Sequence, residues 1–188
     1  MKVVFQNYEI SVRDEPTYTR NSTDNARSYN NEYCRSEKYQ HISAHGITVG
    51  DIDSQHSSAI ILGVGGATGI NKDSVAHTSD TLYVAAGDAV FSLTLPSLEL
   101  KWCKKVDFAI CFGVYWIQEK SYLITWGELN VSCFSEHGKE IWSTSGPDVF
   151  TEAFEVKGDY IKVTDFNNDI FFINIENGEI SNKNNEIT

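Results

Sequence analysis

The chain has 188 residues, a formal charge of −11, a pI near 4.8, and a composition that is 41% hydrophobic, 12% aromatic and 22% charged. A chain of this size removes roughly 70% of its unfolded surface from water, so one core forms without staples, which excludes collagen, pure disorder and a small disulfide scaffold. No apolar run approaches the ~18 residues of a spanning helix, and the acidic balance argues against nucleic acid or an anionic membrane as partner.

The amino terminus, MKVVFQNYEISVRDE, has no continuous apolar stretch and reads as neither a signal peptide nor a lipidation site, so a cytoplasmic location is expected. Residues 2–12 alternate around Val4, Tyr8, Ile10 and Val12 and predict a first strand within 1–13. From Asp14 to Gln40 the composition turns to Ser, Asn, Thr, Tyr and charge. Such a segment cannot order itself alone, and it predicts a solvated polar loop or loosely held arm over 14–40, whose tyrosines and arginines leave docking on the body or on a partner open. All four arginines lie in it or just before it, and residues 1–40 are charge-balanced, so the acidic excess belongs to the remainder.

From residue 41 to 182 short β-branched and aromatic runs are cut by Gly, Asp and Asn every eight to twelve residues. No long window carries a 3.6-residue apolar period. The predicted fold is all-β, mostly antiparallel, in a single domain 1–188 with a tail at 183–188. Three stretches repeat: TLYVAAGDAVFSLTLPSLELKW, SYLITWGELNVSCFSEHGKEIW and DYIKVTDFNNDIFFINIENGEI. Gly87 to Gly127, Trp102 to Trp142 and Gly138 to Gly178 are each 40 residues apart. A fixed period of this length predicts stacked β-meander units, each with a face that only a neighbour can cover. HGITVGDI is a faint fourth copy.

The segment HGKEIW, with Gly138 turning and Trp142 closing the strand, resembles the Gly-Lys-x-x-Trp feature of the quinoprotein-type (PQQ-like) β-propeller repeat. Trp102 sits at the matching place with Leu98 in the position of the turn glycine; the third copy keeps Gly178 and lacks the tryptophan. The resemblance covers about residues 80–182 and implies a propeller blade. The family's enzymes hold a quinone and calcium in a central channel, but this chain lacks an adjacent cysteine pair and the necessary length, so no cofactor is expected. A closed propeller takes about four to eight blades. With three to four units, the expectation is an open or minimal propeller, a few meanders folded together, or a part completed by another chain, which leaves a homo-oligomer open.

The four cysteines form no CxxC pair and read as reduced thiols, those at 103, 111 and 133 as small buried hydrophobes. The glycine run 63–69 invites a phosphate cradle, yet INKDSVAHTSD after it supplies no helix, so a strand end and wide turn is the plainer reading, with Gly65, Gly66 and Thr68 as candidates to line a ligand groove. Asp165, Asn167, Asp169 and Glu176 match part of a calcium loop, but Ile170 replaces its obligatory glycine. His41 and His45 would lie about 13 Å apart along a strand, too far to share a metal with Asp51, Asp53 or His56 unless the fold converges them. No metal site is expected. The aromatics are the densest feature, and the segment holding Phe108, Phe112, Tyr115 and Trp116, where the strand pattern is least clean, is the expected partner surface.

These readings favour a non-catalytic propeller-like module that binds a protein or small ligand. The alternatives are a toxin-neutralising immunity protein, whose acidic surface would speed association with a basic toxin, and an enzyme that uses the glycine loop with Asp73, His77 or Asp80.

Overall fold

In a computed structural model, residues 1–5, 8–50 and 55–182 are described; Asp51 and Asp53, considered above as ligands, lie outside them, as does the tail. The described chain is all-β and forms four sheets. The second comprises β6 (Val75–His77), β7 (Thr81–Ala86), β8 (Ala89–Thr94) and β9 (Leu100–Lys105). The third comprises β10 (Cys111–Ile117), β11 (Tyr122–Gly127), β12 (Asn130–Ser135) and β13 (Glu140–Ser145). The fourth comprises β14 (Phe154–Lys157), β15 (Tyr160–Thr164), β16 (Ile170–Asn174) and β17 (Ile180–Asn182). Each is a four-stranded antiparallel meander in chain order, the unit that the 40-residue register predicts.

The first sheet differs. Its order is β1 (Lys2–Phe5), β2 (Tyr8–Asp14), β4 (Ser43–Gly50), β5 (Gln55–Gly63), β3 (Asn31–Cys34). The predicted first strand is two, β1 and β2 pairing antiparallel with Lys2 opposite Ser11. The polar arm contributes β3, which pairs with β5 in parallel as the outer strand. Residues 45–50 of HGITVGDI lie in β4, in a sheet whose strand order and parallel edge strand depart from the meander of the three repeats.

The sheets stack in chain order, and alternation along each strand sends successive residues to opposite neighbours. Ile47, Val49, Ala59 and Ile61 face Leu82, Val84, Phe91 and Leu93 of the second sheet. Tyr83, Ala85 and Val90 meet Val114, Leu123 and Phe134 of the third. Ile124, Val131 and Cys133 meet Ile161, Val163, Phe171 and Ile173 of the fourth. Among the described residues no core joins the fourth sheet to the first, so the stack is open. The free face of the first sheet, with Ala44, Ile60 and Leu62, is covered by Tyr18, Tyr29 and Cys34 of the arm.

Polar contacts hold the arm. Glu15, 6% exposed, accepts bonds from the Tyr29 hydroxyl at 2.6 Å and the Arg27 guanidinium at 3.1 Å. Arg20 bridges Glu32 and Glu37 at 2.7 and 2.6 Å. A segment too polar to fold alone is ordered by a sheet face it can cover and an ion network it carries itself.

The repeated tryptophan and glycine form the joint between sheets. A Cβ placed on Gly138 would lie 2.9 Å from the Trp102 ring, and one on Gly178 would lie 2.7 Å from Trp142. Each indole thus lies flat against the next sheet's last turn, and its Nε1 donates to a carbonyl there, Glu136 at 2.9 Å and Ile175 at 2.9 Å. Leu98, in the same register, takes the left-handed φ of +58°. No tryptophan precedes it, and its side chain, fully buried, fills the first joint. That burial is worth about 1.5–3 kcal/mol, which offsets the roughly 1–2 kcal/mol cost of the backbone. Tyr33 of β3 donates to the Leu98 carbonyl at 3.0 Å, where the indoles donate elsewhere.

His45 is 1% exposed, with Nδ1 3.0 Å from Asp14 and Nε2 3.2 Å from the Thr68 hydroxyl. Burial lowers its pKa below 6.5, against the opposing pull of Asp14. The unfolded chain therefore takes up a proton as the pH drops below 6.5 that the folded chain resists, and stability falls through that window. Urea midpoints at pH 7.5 and 5.5 should show a larger loss for the parent than for His45→Gln; equal losses would remove His45 as the cause.

Candidate ligand cleft between the second and third sheets

Alternation in β7 directs Tyr83 towards the third sheet, while Trp102 on β9 and Trp116 on β10 reach the same space from either side. The rings of Tyr83 and Trp116 stack at 5.5 Å with an interplanar angle of 18°, and Trp102 is tilted against Tyr83 at 5.9 Å. This aromatic row lines a cleft of about 840 Å³ whose walls include Thr78, Asp80, Thr81, Lys101, Gln118 and Glu136. Donors and acceptors alternate around it. Asp80 accepts from the Thr78 and Thr81 hydroxyls at 2.9 and 2.7 Å, and the Lys101 ammonium donates to Thr81 at 2.6 Å. The two hydroxyl bonds lead the causes that hold the Asp80 carboxyl below its usual range.

Tyr83 is 1% exposed. Burial first, then the charges of Glu136 and Asp80, push its pKa up to about 12. The cleft thus presents an aromatic floor under a rim that carries Asp80 and Glu136 beside Lys101. Trp116 and Gln118 also line an adjoining cleft of about 570 Å³ with Lys72, Asp73, His77, Tyr115 and Val156. Burial raises the Tyr115 pKa, and Asp73 adds to the rise.

The sequence-predicted partner residues are therefore dispersed. Trp116 belongs to the aromatic cleft, and Tyr115 stacks on Phe154 at 4.8 Å, between the third and fourth sheets. Phe112 packs on Trp126 at 5.2 Å. Phe108, 76% exposed, lies in the linker between the second and third sheets. In the glycine loop, Gly66 donates to the Ala109 carbonyl at 2.9 Å and abuts Ile110, and Gly65 lies against Asp88 and Ala109. Thr68 receives the Gly87 N–H at 2.9 Å and donates to Ser43 at 2.9 Å, which ties the first sheet to the second. Of the groups considered for catalysis, Asp73 and His77 line the adjoining cleft and Asp80 the aromatic one, away from the glycine loop. Trp102 carries a sequence signal only as the repeat's tryptophan, and Tyr83 carries none beyond the aromatic density.

Among the described residues no group of three or more His, Cys, Asp or Glu is placed to hold a metal. Asp165 caps a hairpin turn by accepting the Asp169 N–H at 2.8 Å, Asn167 donates to Asp148, and Glu176, in the next turn, pairs with Lys120. His41 bonds the Tyr18 carbonyl. The four cysteines are free, and burial raises the thiols of Cys103 and Cys133 to about 12. Among the described residues no helix is long and apolar enough to cross a membrane.

No family model matches the sequence, and no curated protein matches it significantly. Solved structures do. The computationally designed Ika8 protein aligns over 95% of this chain and 59% of its own length, with a TM-score of 0.55 and 11% identity. The designed Ika4 protein aligns over 64% of this chain and 79% of its own, with a TM-score of 0.51 and 10% identity. The AfRom2 CNH domain aligns over 76% of this chain and 48% of its own, with a TM-score of 0.50 and 13% identity. The chain thus spans about half to four fifths of these structures, and what it shares with them is the fold, all-β and propeller-like.

Proposed function

We propose that this protein is a non-catalytic binding module that holds its ligand in the aromatic cleft between the second and third sheets. One observation carries this reading: Trp116 stacks on Tyr83, and Trp102 tilts against it, to floor a cleft of about 840 Å³ walled by Asp80, Lys101 and Glu136. Aromatic floors with a few convergent polar groups are the usual composition of small-molecule sites. The 40-residue period and the indole-on-glycine joints support a quinoprotein-type repeat as the source of the blades, with no quinone chemistry attached. A cytoplasmic location goes with the reading, since free thiols suit a reducing compartment.

The test is titration with a library of ring-bearing polar compounds, monosaccharides, nucleosides and phenols, followed by the indole N–H resonances of Trp102 and Trp116. Bound compounds should shift both resonances. Affinity should fall roughly tenfold or more in Trp116→Ala and less in Tyr83→Phe, the difference between losing a stacking face and losing one hydrogen bond. Binding that survives Trp116→Ala unchanged would place the site elsewhere.

A further inference from the structure

A second feature lies on the rim of the first two sheets, independent of the aromatic cleft. Tyr39 and Ile42, each 59% exposed, line a hollow of about 460 Å³ together with Arg35, Asp88 and Lys105. Phe108, 76% exposed, adjoins it through Lys105, whose ammonium lies 4.2 Å from the ring centroid. Lys38 places its ammonium 5.3 Å from the Tyr39 ring. Three exposed apolar side chains and three cations thus share one spot on a chain of net charge −11.

The anions near it are engaged. Asp88, its side chain 5% exposed, pairs with Arg35 at 3.2 Å beneath the surface, and Glu37 is held by Arg20 at 2.6 Å. The floor is only partly satisfied: Asp88 Oδ1 and Arg35 Nε are buried and have no hydrogen-bond partner among the described residues. Asp88 also lies 4.0 Å from the Lys105 ammonium, so one buried carboxylate draws two of the three cations together under the apolar rim. Exposed apolar patches ringed by charge mark interaction surfaces, and cations resting on aromatic faces keep their remaining N–H groups turned outward.

We infer that this hollow docks an acidic segment of a partner protein, which sets an aliphatic or aromatic side chain among Tyr39, Ile42 and Phe108 and a carboxylate against Arg35 and Lys105. The charge contrast argues for this occupant, because a cationic segment would meet Lys38, Arg35 and Lys105 directly. A nucleic acid fits less well. Phosphate backbones need a long basic track, whereas this patch is half apolar and the body around it repels polyanions.

Fluorescence anisotropy at 0.15 M salt with three sets of labelled twelve-residue peptides tests it: net −4 with Phe and Leu, net −4 with Ser and Gly, and net +4 with Phe and Leu. The acidic apolar set should bind at least tenfold tighter than either other set. Lys38→Glu/Lys105→Glu should weaken that binding tenfold or more, and Phe108→Ser several-fold. Trp116→Ala should leave it unchanged, which separates this surface from the aromatic cleft. Lys38→Glu alone, on the exposed arm, serves if the double variant fails to show the parent's thermal melt. The inference is overturned if no set binds, if the three sets bind alike, if charge reversal has no effect, or if heparin or duplex DNA binds as tightly as the acidic apolar peptides.

Discussion

Gly87→Ala is expected to cost about 4 kcal/mol or more, a large fraction of the stability of a domain. Gly87 ends the β7–β8 hairpin at a φ of +61°, and a Cβ there would sit 2.0 Å from the Val64 carbonyl oxygen. The left-handed backbone alone costs an alanine about 1–2 kcal/mol. The rest arises because the obstructing atom is backbone, which cannot rotate away. Separating the two segments breaks the Asp88 N–H bond to Val64 at 2.7 Å and the Gly87 N–H bond to Thr68 at 2.9 Å, and shifts the Gly87 carbonyl that receives the Cys111 N–H at 2.7 Å. One methyl group thus strains the junction of the first three sheets. Gly158 is the control, with φ at +56° and no atom within 4 Å of its added Cβ. Gly158→Ala should cost only the backbone share, about 1–2 kcal/mol. Urea denaturation of the two variants measures both. Similar losses would show that the contact with Val64 yields easily and that conformation alone matters.

The second large effect is expected at Trp142. The residue is 8% exposed, its ring lies against Gly178, and its Nε1 donates to Ile175. Truncation removes the ring from the core between the third and fourth sheets and leaves a buried carbonyl unbonded. Large-to-small aromatic changes in cores cost about 3–5 kcal/mol. Because stacked repeats are held by nearest-neighbour contacts, the loss should be local. The fourth sheet is last in the open stack, so Trp142→Ala should speed amide exchange in 154–182 well before it affects β7 and β8. Trp142→Phe should fall between, since it keeps most of the ring and loses the hydrogen bond. Exchange that rises evenly over all four sheets would mean the stack unfolds as one unit.

The indole joints show what could be read in advance. The spacing of Trp102, Trp142, Gly138 and Gly178 is a sequence observation, and the structure turns it into contacts across sheets. Leu98 reads as a defect in the repeat. Its role emerges only once the preceding sheet is seen to offer Tyr33 instead of an indole, which leaves a gap that a leucine side chain fills. The partner surface was legible only as composition: of Phe112, Tyr115 and Trp116, two went into the packing of the third and fourth sheets, and Trp116 alone joined the cleft. Tyr83 escaped notice because alternating strands present buried and cleft-lining aromatics in the same pattern.

The chain's length, its charge and its 40-residue period determine, through local rules of alternation and turn chemistry, an all-β protein built from meanders. Those rules act over a few residues, and a strand carries them wherever it is placed. The role of the polar arm depended on the tertiary structure. Its charge balance and tyrosines are compatible with solvent, with a partner or with the body, and the choice follows from a sheet face that would otherwise be bare. Tyr18 and Tyr29 cover that face, and β3 adds a parallel strand that local sequence does not signal. Among the described residues, three repeats and a first sheet covered by the arm thus stack in an open row.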